Sequence, residues 1–309
     1  TFDYGMVSSP HFDIYHDIED ISKVKYIGEL AEQWYRFHRQ ILVDTFDIRN
    51  PLLLYRNHAE FQQTNAIMGR IGVGTGGATE SLKRRVVMPL SFSRFQTAHV
   101  LGHELVHAFQ YHIVEKSPDL DRGSILRIPL WMTEGMAEYL SIGNIDAHTA
   151  IWMRDALMHN NFPSFDDMDR GARLSPYRYG HAFWSYIASR FGEQYIKRLY
   201  ETTGRQGYKE AMRNVLDLEP ESLLESWKEA LRQKLITDQH PDSVIVGKPF
   251  LTDENAGRYN LAPSVSPDGQ RLVFLSERDA YSIDLFLADA ETGQVLSKIY
   301  TNRAGRPPN

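Results

Sequence analysis

"HVLGHELVHAFQ", residues His99 to Gln110, sets three histidines at four-residue spacing before it ends, with a glutamate directly after the second of them. The stretch is either a metal site or a histidine-rich helix that imitates one. At ~100° per residue, Leu101, Leu105, Ala108 and His112 share an arc of about 60°, whereas His103 and His107 lie on another side. The pattern predicts an amphipathic helix that buries one stripe and presents two histidines one turn apart on another. Two imidazoles so spaced bring their nitrogens to ~2.0–2.1 Å from a single ion, as tetrahedral zinc requires. Glu104 then points between the stripes, where it reaches a water on the ion without competing as a ligand. His112 falls on the buried stripe and reads as a hydrogen-bonded core histidine, and His99 as a bystander lining the cleft.

A second stretch decides between the two readings. In "PLWMTEGMAEYLS", Pro129 to Ser141, the proline is a helix-start signal, Gly143 a stop, and Glu134 and Glu138 stand one turn apart between them. On a solvated helix face such a like-charge pair is unfavourable by roughly 0.2–0.5 kcal/mol. Set against the histidine pair, both carboxylates have a use. Glu134 supplies a third ligand and leaves a fourth position open for water, the arrangement of catalytic zinc. Glu138 accepts a hydrogen bond from the far ring nitrogen of a ligand histidine. Gly135 is expected to let this helix approach the first.

The rest of the chain frames the site. With 309 residues it is long enough for about two domains. A net charge of −6 with interspersed signs and no Lys/Arg-rich run argues against nucleic acid as a partner. No apolar run approaches the ~20 residues that span a bilayer. The absence of cysteine excludes disulfides and thiolate ligands and leaves His, Asp and Glu as metal donors. Pro10 to His16 alternates as a strand, and a long helix follows from about Glu19 through Ile27, Leu30, Trp34, Phe37 and Ile41. Pro51–Tyr55 and Arg84–Leu90 read as further strands, with a short helix around Ala59. Between them "RIGVGTGGATES" (Arg70–Ser81) reads as a glycine-rich loop, with no Gly-Lys-Ser/Thr to make it a phosphate loop. From Phe95 to Gly204 the period is helical, and Glu221–Leu235 adds one more amphipathic helix.

After residue 236 periodicity is lost, and the chain then gives four short alternating runs separated by Ser-Pro-Asp-Gly (266–269), 277–282 and 291–294. Four antiparallel strands joined by tight turns have the form of one propeller blade. The segment resembles a TolB-type propeller repeat. Nine polar-rich residues, 301–309, read as a turn into a further repeat, so the blade is expected to be truncated.

HELVH followed, after Ala108 to Thr133, by the WxxEGxAEY-like segment resembles the gluzincins, the thermolysin-like metallopeptidases, and within them the peptidase MA-like proteins that carry a TolB-like propeller. Further matching stretches are HFDIY (11–15), EFQQTN (60–65), the GG-x-TE loop with RRVVMPL, MRDAL (153–157) and SPYRYGHAFWSYI (175–187). The resemblance implies an α+β fold: a thermolysin-like zinc peptidase domain over 1–239, with a sheet-containing lobe to about 115 and a helical lobe beyond. A linker over 240–256 and a partial blade over 257–309 complete it. It implies one Zn2+ per chain on His103, His107 and Glu134, Glu104 as general base, and Glu138 behind a ligand histidine. The family takes its oxyanion donor from a later helix, which offers Tyr177, Tyr179 and His181; Tyr179 is the choice made from sequence. RRVVMPL is placed like the clan's substrate-binding edge strand, which makes Val86, Val87 and Met88 candidates for peptide binding by strand addition. The expected protein is a periplasmic or secreted bacterial endopeptidase acting on peptide or protein substrates, with further blades as neighbours. The competing reading is an envelope scaffold, catalytically weak or inactive, that keeps the metal-binding fold and uses the propeller for protein interaction.

Overall fold

The computed structural model describes residues 4–81, 83–171, 174–236, 250–257, 259–279 and 283–300. Two compact units divide the chain, residues 1–239 and 240–309. The described part is mixed α and β, with two sheets and no closed barrel among the described residues. No described helix is long and apolar enough to cross a membrane.

The first unit begins with a five-stranded sheet formed by β1 (Gly5–Ser8), β2 (Phe12–His16), β3 (Asn50–Tyr55), β4 (Ala78–Glu80) and β5 (Arg85–Pro89). Its order is β1-β2-β3-β5-β4. The strands β2, β3 and β5 run parallel, and β1 and β4 flank them antiparallel. Parallel neighbours need a crossover, and α1 (Ile21–Leu42) supplies the one between β2 and β3. Asp20 starts that helix by accepting from the Ser22 amide, and Val43 ends it in the left-handed region at φ 45°. A short α2 (His58–Phe61) follows β3, and α3 (Arg94–Lys116) follows β5, capped by Ser93 on the Gln96 amide.

Alternation sorts the sheet into two faces. Phe12, Ile14, Leu52, Leu54, Val86 and Met88 join the α1 side chains Val24, Ile27 and Tyr35 and the α3 side chains Leu101, Leu105 and Phe109 in the main core. Val87, Tyr55 and Phe61 form a smaller cluster covered by Ile67 and Ile71 of the loop before β4.

This arrangement corrects three expectations. β5 is an inner strand: Val86, Val87 and Met88 are buried, and Val86 and Val87 pair with β3 on one side and β4 on the other, which leaves them no free ladder edge. The sheet ends instead at β4, within the segment read as a glycine loop. The helix α3 is covered on every side, with each residue from Leu101 to Gln110 buried, so no single apolar stripe distinguishes its core face. Gly102 is one reason it sits so deep, because a Cβ there would meet the Trp34 ring at 2.7 Å.

The helices that follow are α4 (Arg122–Arg127), α5 (Leu130–Ile142), α6 (Ala147–Met158), α7 (Phe165–Arg170), α8 (Pro176–Phe191), α9 (Gln194–Gln206), α10 (Tyr208–Leu216) and α11 (Pro220–Leu235). They pack around Trp131, Phe165, Phe183, Tyr208 and Trp227, mostly edge to face. The close approach expected at Gly135 is real, but its partner is α8 rather than α3. A Cβ on Gly135 would lie 2.2 Å from the Gly180 backbone, and one on Gly180 would lie 1.9 Å from the Trp131 carbonyl. The α5/α8 crossing therefore tolerates no side chain at either position.

In the second unit a short α12 (Asp253–Ala256) precedes β6 (Asn260–Val265), β7 (Arg271–Ser276), β8 (Asp284–Asp289) and β9 (Val295–Tyr300), which form an antiparallel meander in that order. Its small core is Ala256, Leu272, Phe274, Phe286 and Ala288. Residues 240–249 of the expected linker, and the turn expected over 301–309, lie outside the described residues.

Candidate active site

The two helices α3 and α5 bring five of the sequence candidates into one buried cluster. His103 Nε2 lies 3.2 Å from His107 Nε2 and 3.2 Å from Glu134 Oε2, and His107 Nε2 lies 3.4 Å from the same oxygen. Around a tetrahedral ion with ligand bonds of ~2.0–2.1 Å, donor atoms stand about 3.3 Å apart. The three atoms already have the spacing of one face of such a tetrahedron.

The charge balance fits the same group. Glu104, His103, His107 and Glu138 are buried and Glu134 is nearly so. Burial presses His103 toward its neutral form, but hydrogen bonds to Glu134 and Glu138 outweigh it and draw the pKa up to about 10. Burial likewise opposes ionisation of Glu134, yet bonds from both histidines hold it down to about 2. Glu138 is held well below the usual carboxylate range, again against burial, by His103 and His99. Three carboxylates around two imidazoles form a cluster that a dication satisfies.

Each of the two imidazoles is fixed from behind. His103 Nδ1 lies 3.0 Å from Glu138 Oε1, and His107 Nδ1 lies 2.8 Å from Gln110 Oε1. Donation at Nδ1 leaves both Nε2 lone pairs facing Glu134. Gln110, 1% exposed, is fixed in turn by donating to the Thr133 carbonyl at 2.9 Å. Glu138 carries a longer network: Arg178 Nη1 lies 3.2 Å from its Oε2 and 3.2 Å from Asp146 Oδ2, the carboxylate that caps α6.

His99 is therefore not a bystander. Its Nε2 stands 3.2 Å from Glu138 Oε1, and with His103 and Glu138 it makes a second group of ligand-type side chains that shares His103 with the first. His112 behaves as read, paired at 2.6 Å with Asp44 in the core.

Glu104 stands on the β4 side of the cluster. The Thr79 hydroxyl lies 2.7 Å from its Oε2, and a Cβ on Gly77 would meet its Cγ at 2.8 Å, so only glycine lets the strand lie against this carboxylate.

The structure does not bring the tyrosine chosen from sequence to the cluster. Tyr179 is 4% exposed and faces Trp152 and Phe162, away from the histidines. Tyr177, two residues earlier and 40% exposed, stacks over His103 with ring centroids 6.0 Å apart. A spacing of two on a helix turns side chains by about 200°, so only one of the pair can face the cluster. Burial, followed by the charges of Glu134, Glu104 and Glu138, pushes the Tyr177 phenol up to about 12, and it stays a proton donor throughout the neutral range. His181 is also turned away, bonded to the Gly143 carbonyl at 2.7 Å.

Gln110, Thr79 and Arg178 carry no role in the sequence reading. Gln110 is within reach of it, being three residues beyond His107 on the same helix face. Arg178 is not, since nothing local links it to Glu138.

The sequence pattern of a family described as "BSP: Peptidase of plants and bacteria" matches residues 62–227, more than half of the chain. That span contains β4, α3, α5 and α8, and with them every side chain of the cluster. No curated protein matches the chain.

Proposed function

The chain belongs to this family of peptidases, and from that premise we propose that it is a zinc-dependent metallopeptidase of the gluzincin type. The observation that carries the reading is the triangle of His103 Nε2, His107 Nε2 and Glu134 Oε2 with sides of 3.2, 3.2 and 3.4 Å. His103, His107 and Glu134 would hold one zinc ion. When bound, zinc supplies Lewis acidity that activates a water near neutral pH and polarises the peptide carbonyl.

The remaining steps belong to the protein. Glu104, oriented by Thr79, takes the proton of the attacking water and passes it to the leaving amine. Tyr177 keeps its proton and donates a hydrogen bond to the oxygen on which negative charge develops, a contribution commonly worth ~3–4 kcal/mol. Glu138 and Gln110 hold the two imidazoles in the required tautomer and orientation. The edge that accepts an extended peptide is β4 in place of Val86, Val87 and Met88, because β4 ends the sheet and lies against Glu104. The second unit we read as a blade of a TolB-like propeller, on the strength of its four-stranded meander and Ser266–Gly269 turn.

Glu104→Gln separates chemistry from binding. It should retain the metal and the fold yet lower turnover of a peptide library by about 10²–10⁴-fold, since only proton transfer is removed. Equal cleavage by wild type and variant would refute the assignment.

A further inference from the structure

A cavity of about 440 Å3 opens between α3 and α4 and is lined by Tyr111, Val114, Leu120, Ile125 and Leu126, with Ser81 from the end of β4. It shares α3 with the histidine cluster, whose side chains lie nearer the start of that helix. Gly76 packs on Val100, Gly77 and Thr79 on Glu104, Ser81 shares the cavity with Tyr111, and Arg84 Nε reaches Glu115 at 3.6 Å. The described residues between 76 and 84 thus run alongside α3 from 100 to 115. Tyr111 stands in the field of Glu104, Glu134 and Glu80.

We propose that this cavity is a specificity pocket for a large apolar side chain of the peptide substrate. The inference rests on the metallopeptidase reading and extends it to the substrate class. Seven helical residues separate Glu104 from Tyr111, a rise of about 10 Å, which an extended peptide covers in roughly three residues. Antiparallel addition to β4, the more stable pairing, points the amino-terminal part of the peptide toward Ser81. The pocket therefore takes a residue on the amino-terminal side of the cleaved bond, about three positions away.

Its lining selects apolar over charged. Val114, Leu120, Ile125 and Leu126 form the walls with one face of Tyr111. Two carboxylates, Glu115 and Asp121, also line it, and both are engaged: Glu115 by Arg84, and Asp121 as the cap of α4 bonded to Ser124. They reject an acidic side chain, and their pairing with Arg84 and Arg127 weakens their pull on a basic one.

The test uses the zinc-loaded full chain and a mixed decapeptide library, with cleaved bonds located by mass spectrometry. The expected result is enrichment of Leu, Phe or Met over Ala and Asp by about 10- to 100-fold at one position on the amino-terminal side, the range open to an apolar pocket. Tyr111→Ala and Leu126→Asp should each erase that preference. Leu126 is 88% exposed, so its variant folds even if Tyr111→Ala does not. Cleavage without the preference, or a preference that both variants leave intact, overturns the pocket while the peptidase reading stands. If nothing is cleaved, the peptidase reading fails instead, and direct binding of Leu- against Asp-containing library peptides to wild type and Leu126→Asp decides the pocket. Selective binding lost in the variant upholds it, and equal binding refutes it.

Discussion

In the middle of α3 every residue from Leu101 to Gln110 is buried, whereas in the outer strands β6 and β9 almost every residue is exposed. The contrast is in how polar and apolar groups are covered. The α3 segment includes two histidines, a glutamate and a glutamine, each with a described partner: Glu134 and Glu138 for His103, Gln110 for His107, Thr79 for Glu104. Buried polar groups are stable when partnered, and a network with all its members paired holds one geometry. In the second unit only the inner strands β7 and β8 alternate between buried and exposed, and Val265, Ile299 and Tyr300 stand more than half exposed. The candidate site sits where cover is complete, and β6 and β9 leave most of their residues open.

The sharpest way to break this contrast is to overfill the crossing behind the site. Gly135→Val places side-chain atoms where the Gly180 backbone lies, and is expected to cost more than ~4 kcal/mol, seen as loss of the first unit's thermal transition. In the second unit, Gly269 has φ +71° and nothing within 4 Å of the point where a Cβ would stand, so Gly269→Ala should cost only about 1 kcal/mol. Similar costs for the two substitutions would mean that the first unit is not the tighter one.

A second comparison uses acid. His38 is fully buried, stacked on Trp34 and bonded to the Leu140 carbonyl at 3.2 Å. Burial lowers its pKa to about 4, against an ordinary value near 6.5 in the unfolded chain. The unfolded state therefore binds the extra proton between these values, and stability present above pH 6.5 is lost as pH falls toward 4. The loss amounts to roughly 3 kcal/mol at most. Urea titrations of wild type and His38→Gln across that window should diverge by this amount, and parallel curves would contradict the assignment.

Glu138→Ala is expected to have a smaller effect. It leaves the three proposed ligands in place but frees the far nitrogen of His103 and leaves Arg178 with Asp146 alone, and should weaken zinc affinity or turnover by about 10- to 100-fold. Chelator competition measures this, and an unchanged affinity together with an unchanged rate would reduce Glu138 to a structural residue. The mildest expectation is that amides from about residue 250 onward exchange faster than those of α3 and α5, in keeping with their thinner cover.

The parts of this architecture written in local spacing are legible without the structure. His103, His107, Glu134 and Glu138 lie on two helices whose one-turn repeats can be read from the sequence, and Pro129 and Gly143 mark both ends of the second. The strand around Ile14 announces itself by alternation, and those around Leu52 and Val87 by short apolar runs. What stays hidden depends on neighbours distant in sequence. β4 is three residues long and set among glycines, so the last visible apolar run, β5, has the look of an edge that it is not. Tyr177 and Tyr179 are equivalent by composition, and only the rotation of α8, fixed where Gly180 meets Gly135, decides which faces His103. Arg178 is obscure for the same reason: its role is defined by Glu138 and Asp146 on other elements.

The central claim is that His103, His107 and Glu134 hold a single zinc ion, and the most direct test is metal content by mass spectrometry on the purified chain. The prediction is about one zinc per wild-type chain, with most of it lost in both His107→Ala and Glu134→Ala while each variant remains folded by circular dichroism. Stoichiometric zinc retained by both variants would contradict the account.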